Sequence, residues 1–242
     1  MGPMYRIAIL ALLVASHAAG CVCVAFPTPK AEWQRSSLVF VGQVETVSPE
    51  FDAKKVFSPQ HATVRVEEAF KGVQKGQLIQ INQTGSDCEL KYSRGWRRLL
   101  YLTVQQGGLW MSPGCDRSND PDSASDDLRF LRALPASAER TRVSGEVKSS
   151  GDRSRPLAGV TVTLTDGGGR STTAITDTAG VFEVYDLPQG TYQASIEMPK
   201  GFKADFGFVS GPRKFSDGFP LAVTLGDSHA TAVFYVKPAD AK

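Results

Sequence analysis

Gly159-Val160-Thr161-Val162-Thr163-Leu164-Thr165 alternates without a break. Val160, Val162 and Leu164 fall on one side of an extended chain and the three threonines on the other, because successive side chains of a strand point to opposite faces. The stretch therefore predicts a strand with one buried face. The pattern recurs outward from it. Phe182 and Val184 are expected to face a core, with Glu183 and Tyr185 facing out. Tyr192, Ala194 and Ile196 repeat it, as do Leu221, Val223 and Leu225, and Thr231 to Val236 reads as the closing strand. Gly167-Gly168-Gly169 after Asp166 reads as a hairpin turn, since no helix or Lys-Ser/Thr follows to form a phosphate cradle. Strands recurring every ~10–20 residues, with Gly, Asp and Pro between them, predict a seven-stranded β-sandwich over residues 141–242.

Upstream of a short polar linker at 137–140, residues 21–136 read differently. Strand-like runs are Leu38 to Val47, Ala62 to Phe70, Gln77 to Asn82 and Leu99 to Val104. Ser125 to Leu134 is the best helix: Ser125 is placed to cap it, Asp126 and Asp127 sit in the first turn, and Leu128, Leu131 and Leu134 share a face. A shorter helix is expected over Lys30 to Arg35. Short strands with a helical flank predict a small β-barrel, so the chain as a whole reads as mostly β.

The first twenty residues read as a secretory signal. Arg6 is the only charge, Ile7 to Ala15 is an apolar run, and Ala18-Ala19-Gly20 suits a cleavage site. As a helix that run reaches about 13.5 Å, far short of the ~30 Å hydrocarbon core. Cleavage after Gly20 makes Cys21 the new N-terminus. A small residue before Cys21 also suits lipoprotein processing, which would put a lipid anchor on Cys21. The four cysteines Cys21, Cys23, Cys88 and Cys115 weigh against it, since an even count in an exported chain reads as two disulfides and acylation would strand one thiol. The expected location is secreted or periplasmic.

The 27 Lys and Arg face 25 Asp and Glu, and loss of Arg6 narrows the excess further. Neither half carries the basic surplus that displaces counterions from nucleic acid, so no nucleic-acid partner is expected. Of the histidines, only His61 and His229 lie beyond the leader, one in each half. Asp227-Ser228-His229 reads as a polar turn rather than a catalytic triad, and the neighbours of a His-based metal site are missing. No catalytic residue and no cofactor is expected. Arg94-Gly95-Trp96-Arg97-Arg98 reads as a strand start with Trp96 packed under arginine stems.

Cys21-Val22-Cys23 at the mature N-terminus, a short helix, then Ser36-Ser37-Leu38-Val39-Phe40-Val41-Gly42-Gln43-Val44, resembles the tissue inhibitors of metalloproteinases and netrin-like modules. The resemblance covers 21–135 and implies an OB-fold barrel. It implies disulfides Cys21–Cys88 and Cys23–Cys115, at separations of 67 and 92 residues. It further implies that the amine and carbonyl of Cys21 chelate the zinc of a partner protease, that Val22 fills the specificity pocket, and that Ser86-Asp87-Cys88 line the contact ridge. Such a partner fits physically, because a catalytic zinc keeps one position open. The animal inhibitors carry a third disulfide in this domain and usually Thr or Ser second; this chain has neither.

Val143-Ser144-Gly145-Glu146-Val147, Pro156 to Val162, Thr176-Asp177-Thr178-Ala179-Gly180-Val181-Phe182 and Leu187-Pro188-Gln189-Gly190-Thr191-Tyr192, in that order, resemble the carboxypeptidase regulatory-like, transthyretin-type sandwich. That family implies a non-catalytic adaptor. The expectation is an exported non-enzymatic protein that binds a zinc metalloprotease or another extracytoplasmic protein. The alternative is a structural or adhesive envelope protein whose Cys-x-Cys is only a disulfide staple.

Overall fold

The computed structural model describes residues 23, 25–55, 58–86, 88–104, 110–112, 114–134, 136, 139–151, 154–212, 215–226 and 228–239. The first elements among the described residues are β1 (Ala25–Phe26) and α1 (Pro29–Arg35). Thr28 caps α1, its Oγ1 accepting from the Ala31 N–H at 3.2 Å, and Pro29 follows where a helix needs no donor. Five strands come next: β2 (Leu38–Ser48), β3 (Gln60–Lys71), β4 (Leu78–Gln83), β5 (Arg97–Val104) and β6 (Trp110–Met111). They close into a barrel in the order β2-β3-β4-β6-β5, with β5 pairing back onto β2. β4 and β6 run parallel and the other neighbours antiparallel. This is the OB-like barrel expected.

The runs Leu38-Val39-Phe40-Val41 and Leu99-Leu100-Tyr101-Leu102 do not alternate with polar residues because both faces of their strands are covered. Leu38, Phe40, Leu100 and Leu102 fill the barrel interior. Val39, Val41, Leu99 and Tyr101 point outward into a second core, closed by Leu128, Phe130 and Leu131 of α2 (Ser125–Arg132). A strand buried on both sides has no polar face to show. Ser125 does not cap α2. A 3-10 turn over Pro121–Ser123 leads straight into the helix, so Ala124 takes the cap position without a side-chain hydrogen bond.

The second half folds as β7 (Arg142–Ser149), β8 (Arg155–Pro156), β9 (Thr161–Thr165), β10 (Ser171–Ile175), β11 (Val181–Tyr185), β12 (Gly190–Ile196), β13 (Phe202–Val209), β14 (Gly211–Pro212), β15 (Phe215–Asp217), β16 (Leu221–Leu225) and β17 (His229–Pro238). One sheet has the order β10-β9-β12-β16; the other has β11-β7-β17-β13-β15, with β8 on the flank of β7. Val160, Val162, Leu164, Tyr192, Leu221, Val223 and Leu225 meet Phe182 and Phe234 in the core between them. The four-stranded and six-stranded sheets together exceed the seven strands expected. The surplus includes β8 and β15, two and three residues long, too short to carry an alternation. The Gly167–Gly169 turn joins β9 to β10 as a hairpin. β17 runs parallel to β7, and the two strands approach so closely at Gly145 that a Cβ there would lie 1.6 Å from the Ala232 carbonyl oxygen. β1, next to Cys23, pairs with β14, so the N-terminal segment is strapped to the second half.

Candidate functional site

Cys23 and Cys115 form a disulfide with Cα atoms 5.4 Å apart. Cys88 is disulfide-bonded as well; its expected partner Cys21, with Val22 and Asp87, lies outside the described residues. The loops around Cys88 and Cys115 are brought into contact by Gly114. Its φ of +74° suits glycine, and a Cβ there would fall 1.1 Å from the Cys88 carbonyl oxygen. The expected ridge residue Ser86 accepts from the Cys88 N–H at 3.2 Å through Oγ and from Lys91 Nζ at 2.8 Å through its carbonyl. Buried Glu89, which the sequence reading overlooked, holds this loop. Its carboxylate accepts from the Thr84 N–H and Oγ1, the Gly85 N–H and the Ser86 N–H, at 2.7 to 3.2 Å. This loop is thus a braced turn, and the structure brings Cys23, Ser86, Cys88 and Cys115 close together.

A second constellation lies where the two halves meet. Arg117 forks onto Asp127, with both contacts at 2.7 Å, and donates through Nη1 to the Pro27 carbonyl at 2.9 Å. Tyr101 Oη donates to the same Asp127 at 2.8 Å. Asp126, one residue earlier on α2, points instead to the sandwich, where Arg142 Nη2 reaches its Oδ1 at 2.6 Å. Arg142 is 0% exposed. Its Nε and Nη2 also donate to Glu183 Oε1 at 2.9 and 2.5 Å. Arg129 of α2 completes the set, donating to Glu183 Oε2 at 3.2 Å and pairing with Asp177. Glu183 therefore faces away from the sandwich core, as its alternation requires, yet toward the barrel rather than toward water. His229 is likewise at the junction, edge-on to Phe130 with ring centroids 5.2 Å apart. Ser228 serves there through its carbonyl, which accepts from the Arg142 N–H at 2.7 Å. Asp227 lies outside the described residues.

The electrostatics follow from burial. Desolvation alone would raise the Asp126 carboxyl, but the charges of Arg142 and Arg117, with hydrogen bonds from Ser144 and Arg142, together outweigh it and hold Asp126 below the usual aspartate range. Desolvation works against the Arg117 and Arg142 guanidinium groups too. The charges of Asp127 and Asp126 with the Asp127 hydrogen bonds together outweigh it for Arg117, as the charges of Asp126 and Glu183 with the Glu183 hydrogen bonds do for Arg142, and both stay above their ordinary value. Burial, then the Asp127 charge, pushes the Tyr101 hydroxyl well up. A lowered folded-state pKa gives stability that is present above the unfolded value and is lost as pH falls through the folded one. Asp126→Asn is therefore expected to cost about 3 kcal/mol near neutrality. The gap to the parent should close as pH falls below the ordinary aspartate value of about 3.9. Urea unfolding at about pH 7 and about pH 2 checks this, and an undiminished gap in acid would refute the assignment.

Among the described residues no group of three or more His, Cys, Asp or Glu is placed to hold a metal ion, and no helix is long and apolar enough to cross a membrane. Arg98 lies over the Trp96 ring at 4.7 Å, the packing expected of the Arg94–Arg98 stretch. The junction charges were missed because nothing local marks them. Asp126 and Asp127 look like ordinary first-turn acids, and Arg142 looks like the end of a linker.

Residues 142–205 match the family model of the carboxypeptidase regulatory-like domain, in agreement with the resemblance drawn for that half. No curated protein matches the chain. Among solved structures, the minor pilin GBS52 of Streptococcus agalactiae is 13% identical, with 86% of this chain and 85% of that chain covered and a TM-score of 0.34. The major pilin protein T3.2 of Streptococcus pyogenes is 11% identical, with 84% and 98% covered and a TM-score of 0.31. The pilus adhesin SpaC of Lactobacillus rhamnosus GG is 13% identical, with 89% and 31% covered and a TM-score of 0.29.

Proposed function

We propose that this chain is a non-enzymatic structural or adhesive protein of the extracytoplasmic space. Its Cys-x-Cys is a staple, and its two β-modules, 21–136 and 141–242 with a linker at 137–140, act as one stiff unit. The observation that carries the reading is the buried Arg142, which ties Asp126 of the barrel's flanking helix to Glu183 of the sandwich. Such a charge set costs more to desolvate than an apolar contact would, but it fixes one relative orientation of the modules. The β1–β14 pairing and the Arg117 contact to the Pro27 carbonyl add a second tie, from the N-terminal segment. A chain that transmits force or presents a surface benefits from that stiffness. The regulatory-like match of 142–205 supports an adaptor without catalytic residues.

A second reading is inhibition of a zinc metalloprotease. The OB-like closure and the Cys23–Cys115 bond favour it, both being implied by the resemblance to netrin-like inhibitors. Cys21 would then ligate the partner's zinc through its amine and carbonyl, Val22 would enter the pocket, and Ser86 and Asp87 would flank the contact.

One comparison separates the two. The mature chain and a version with one residue added before Cys21 are assayed against a panel of zinc endopeptidases, and beads coated with each are tested for attachment to isolated cell envelopes. The structural reading expects both proteins to attach alike and neither to inhibit. Inhibition by the native chain, lost on extension, would overturn it in favour of chelation.

A further inference from the structure

Between the barrel and the sandwich lies a half-enclosed cleft of about 230 Å³, lined by Asp116, Asp126 and Asp127 on one side and by Glu146, Thr231 and Tyr235 on the other. The volume suits a small molecule or one side chain rather than a single water. Two cations also reach it, Arg117 and Lys148, and each has its own carboxylate. Arg117 is forked onto Asp127, and Lys148 pairs with Glu146. Asp126 and Asp116 remain. Arg142 occupies Asp126 Oδ1. Asp126 Oδ2 makes no hydrogen bond of good geometry among the described residues, although its side chain is only 3% exposed, and the buried Ser144 hydroxyl is the neutral donor beside it. Arg117 Nη2 stands 3.6 Å from it, beyond hydrogen-bond reach. Across the cleft, the buried Thr231 Oγ1 also lacks a partner among the described residues. Asp116 accepts from Ser112 Oγ and the Ser118 N–H, both at 2.8 Å, with the Arg35 charge a weaker influence.

We propose that this cleft binds a small organic cation bearing a primary ammonium group. Four carboxylates line the cleft against Arg117 and Lys148, with Arg142 behind Asp126 as a third cation, so one negative charge is left over and an anion is disfavoured. Of the buried oxygens outside hydrogen-bond geometry, the two that line the cleft are a carboxylate and a hydroxyl, and both accept from an ammonium, which has donors to spare. Burial pushes the Asp116 and Glu146 carboxyls above their usual range, with Lys148 only partly offsetting the effect at Glu146. Incompletely compensated carboxylates of this kind are what an incoming cation would stabilise. Tyr235 and Phe208 supply ring walls for the alkyl stem of such a ligand.

The ammonium has two sources, a free amine or the lysine side chain of another protein, and the test has one arm for each. The mature chain is titrated with n-butylammonium, with a capped tripeptide carrying a central lysine, and with n-butanol as the uncharged isostere. Amide chemical shifts of residues 117–119 and 231–235 are followed. Saturable shifts are expected with at least one amine probe, and the probe that saturates at lower concentration identifies the source. Asp116→Asn and Thr231→Val should each weaken binding at least tenfold, and exposed Glu50→Gln, outside the lining, should not. Two variants keep the test readable if one fails to fold. The proposal is overturned if neither amine moves these residues, if butanol moves them equally well, or if the folded cleft variants bind like the parent.

Discussion

Replacement of Arg142 by methionine is expected to lower the stability of the oxidised protein by about 3–5 kcal/mol. Methionine nearly matches the aliphatic stem in shape, so the loss is electrostatic rather than a cavity effect. Asp126 and Glu183 would be left at the junction without the guanidinium that bridges them. Among the described residues Asp126 would keep Arg117 at 3.6 Å and the Ser144 hydroxyl, and Glu183 would keep Arg129 and the Tyr185 hydroxyl at 3.1 Å. An uncompensated buried carboxylate either takes up a proton or pulls the interface open to water. Equilibrium unfolding in urea at neutral pH measures the effect. The triple change Arg142→Met, Asp126→Leu, Glu183→Gln should recover a large part of it, since apolar substitutes for a buried ion set are often tolerated. A single-variant cost below about 1 kcal/mol would show that Arg142 is in contact with solvent and that the junction is not a fixed interface.

Loss of the Cys23–Cys115 bond is expected to be as costly. The bond closes a loop spanning 92 residues. A cross-link of that span removes chain entropy from the unfolded state worth roughly 4–5 kcal/mol. Cys23→Ser should therefore shift the barrel's unfolding transition sharply downward. The sandwich has no cysteine between 141 and 242, so its sheets lose no covalent tie. Its coupling to the barrel runs through Arg142, Arg129 and the β1–β14 pair. Calorimetry of the variant reads both effects. A barrel transition that stays in place would mean that the N-terminal segment is held by β14 and Arg117 alone. That outcome would remove the staple from the structural reading.

What was legible from the chain alone was what depends on neighbours in sequence. The alternation of Val160, Val162 and Leu164, the apolar face of Leu128 and Leu131, and the turn at Gly167–Gly169 each placed an element, because period and φ preference act within a few residues. The Cys23–Cys115 separation gave a pairing once a family resemblance was added. Other features were decided only by tertiary structure. Glu183 sits at a position that alternation assigns correctly to the outward face, yet that face is covered by α2, whose Arg129 lies 54 residues earlier in the chain, with Arg142 of β7 bridging the two. Asp126 and Asp127, adjacent on α2, take different partners, one in the sandwich and one in the barrel. The closeness of Gly145 to Ala232 and of Gly114 to Cys88 exists only after distant strands and loops have met. A charge costs little in water and much in an interior, so its role is set by what packs over it. That covering comes from segments far apart in the sequence, and no local pattern of residues encodes it.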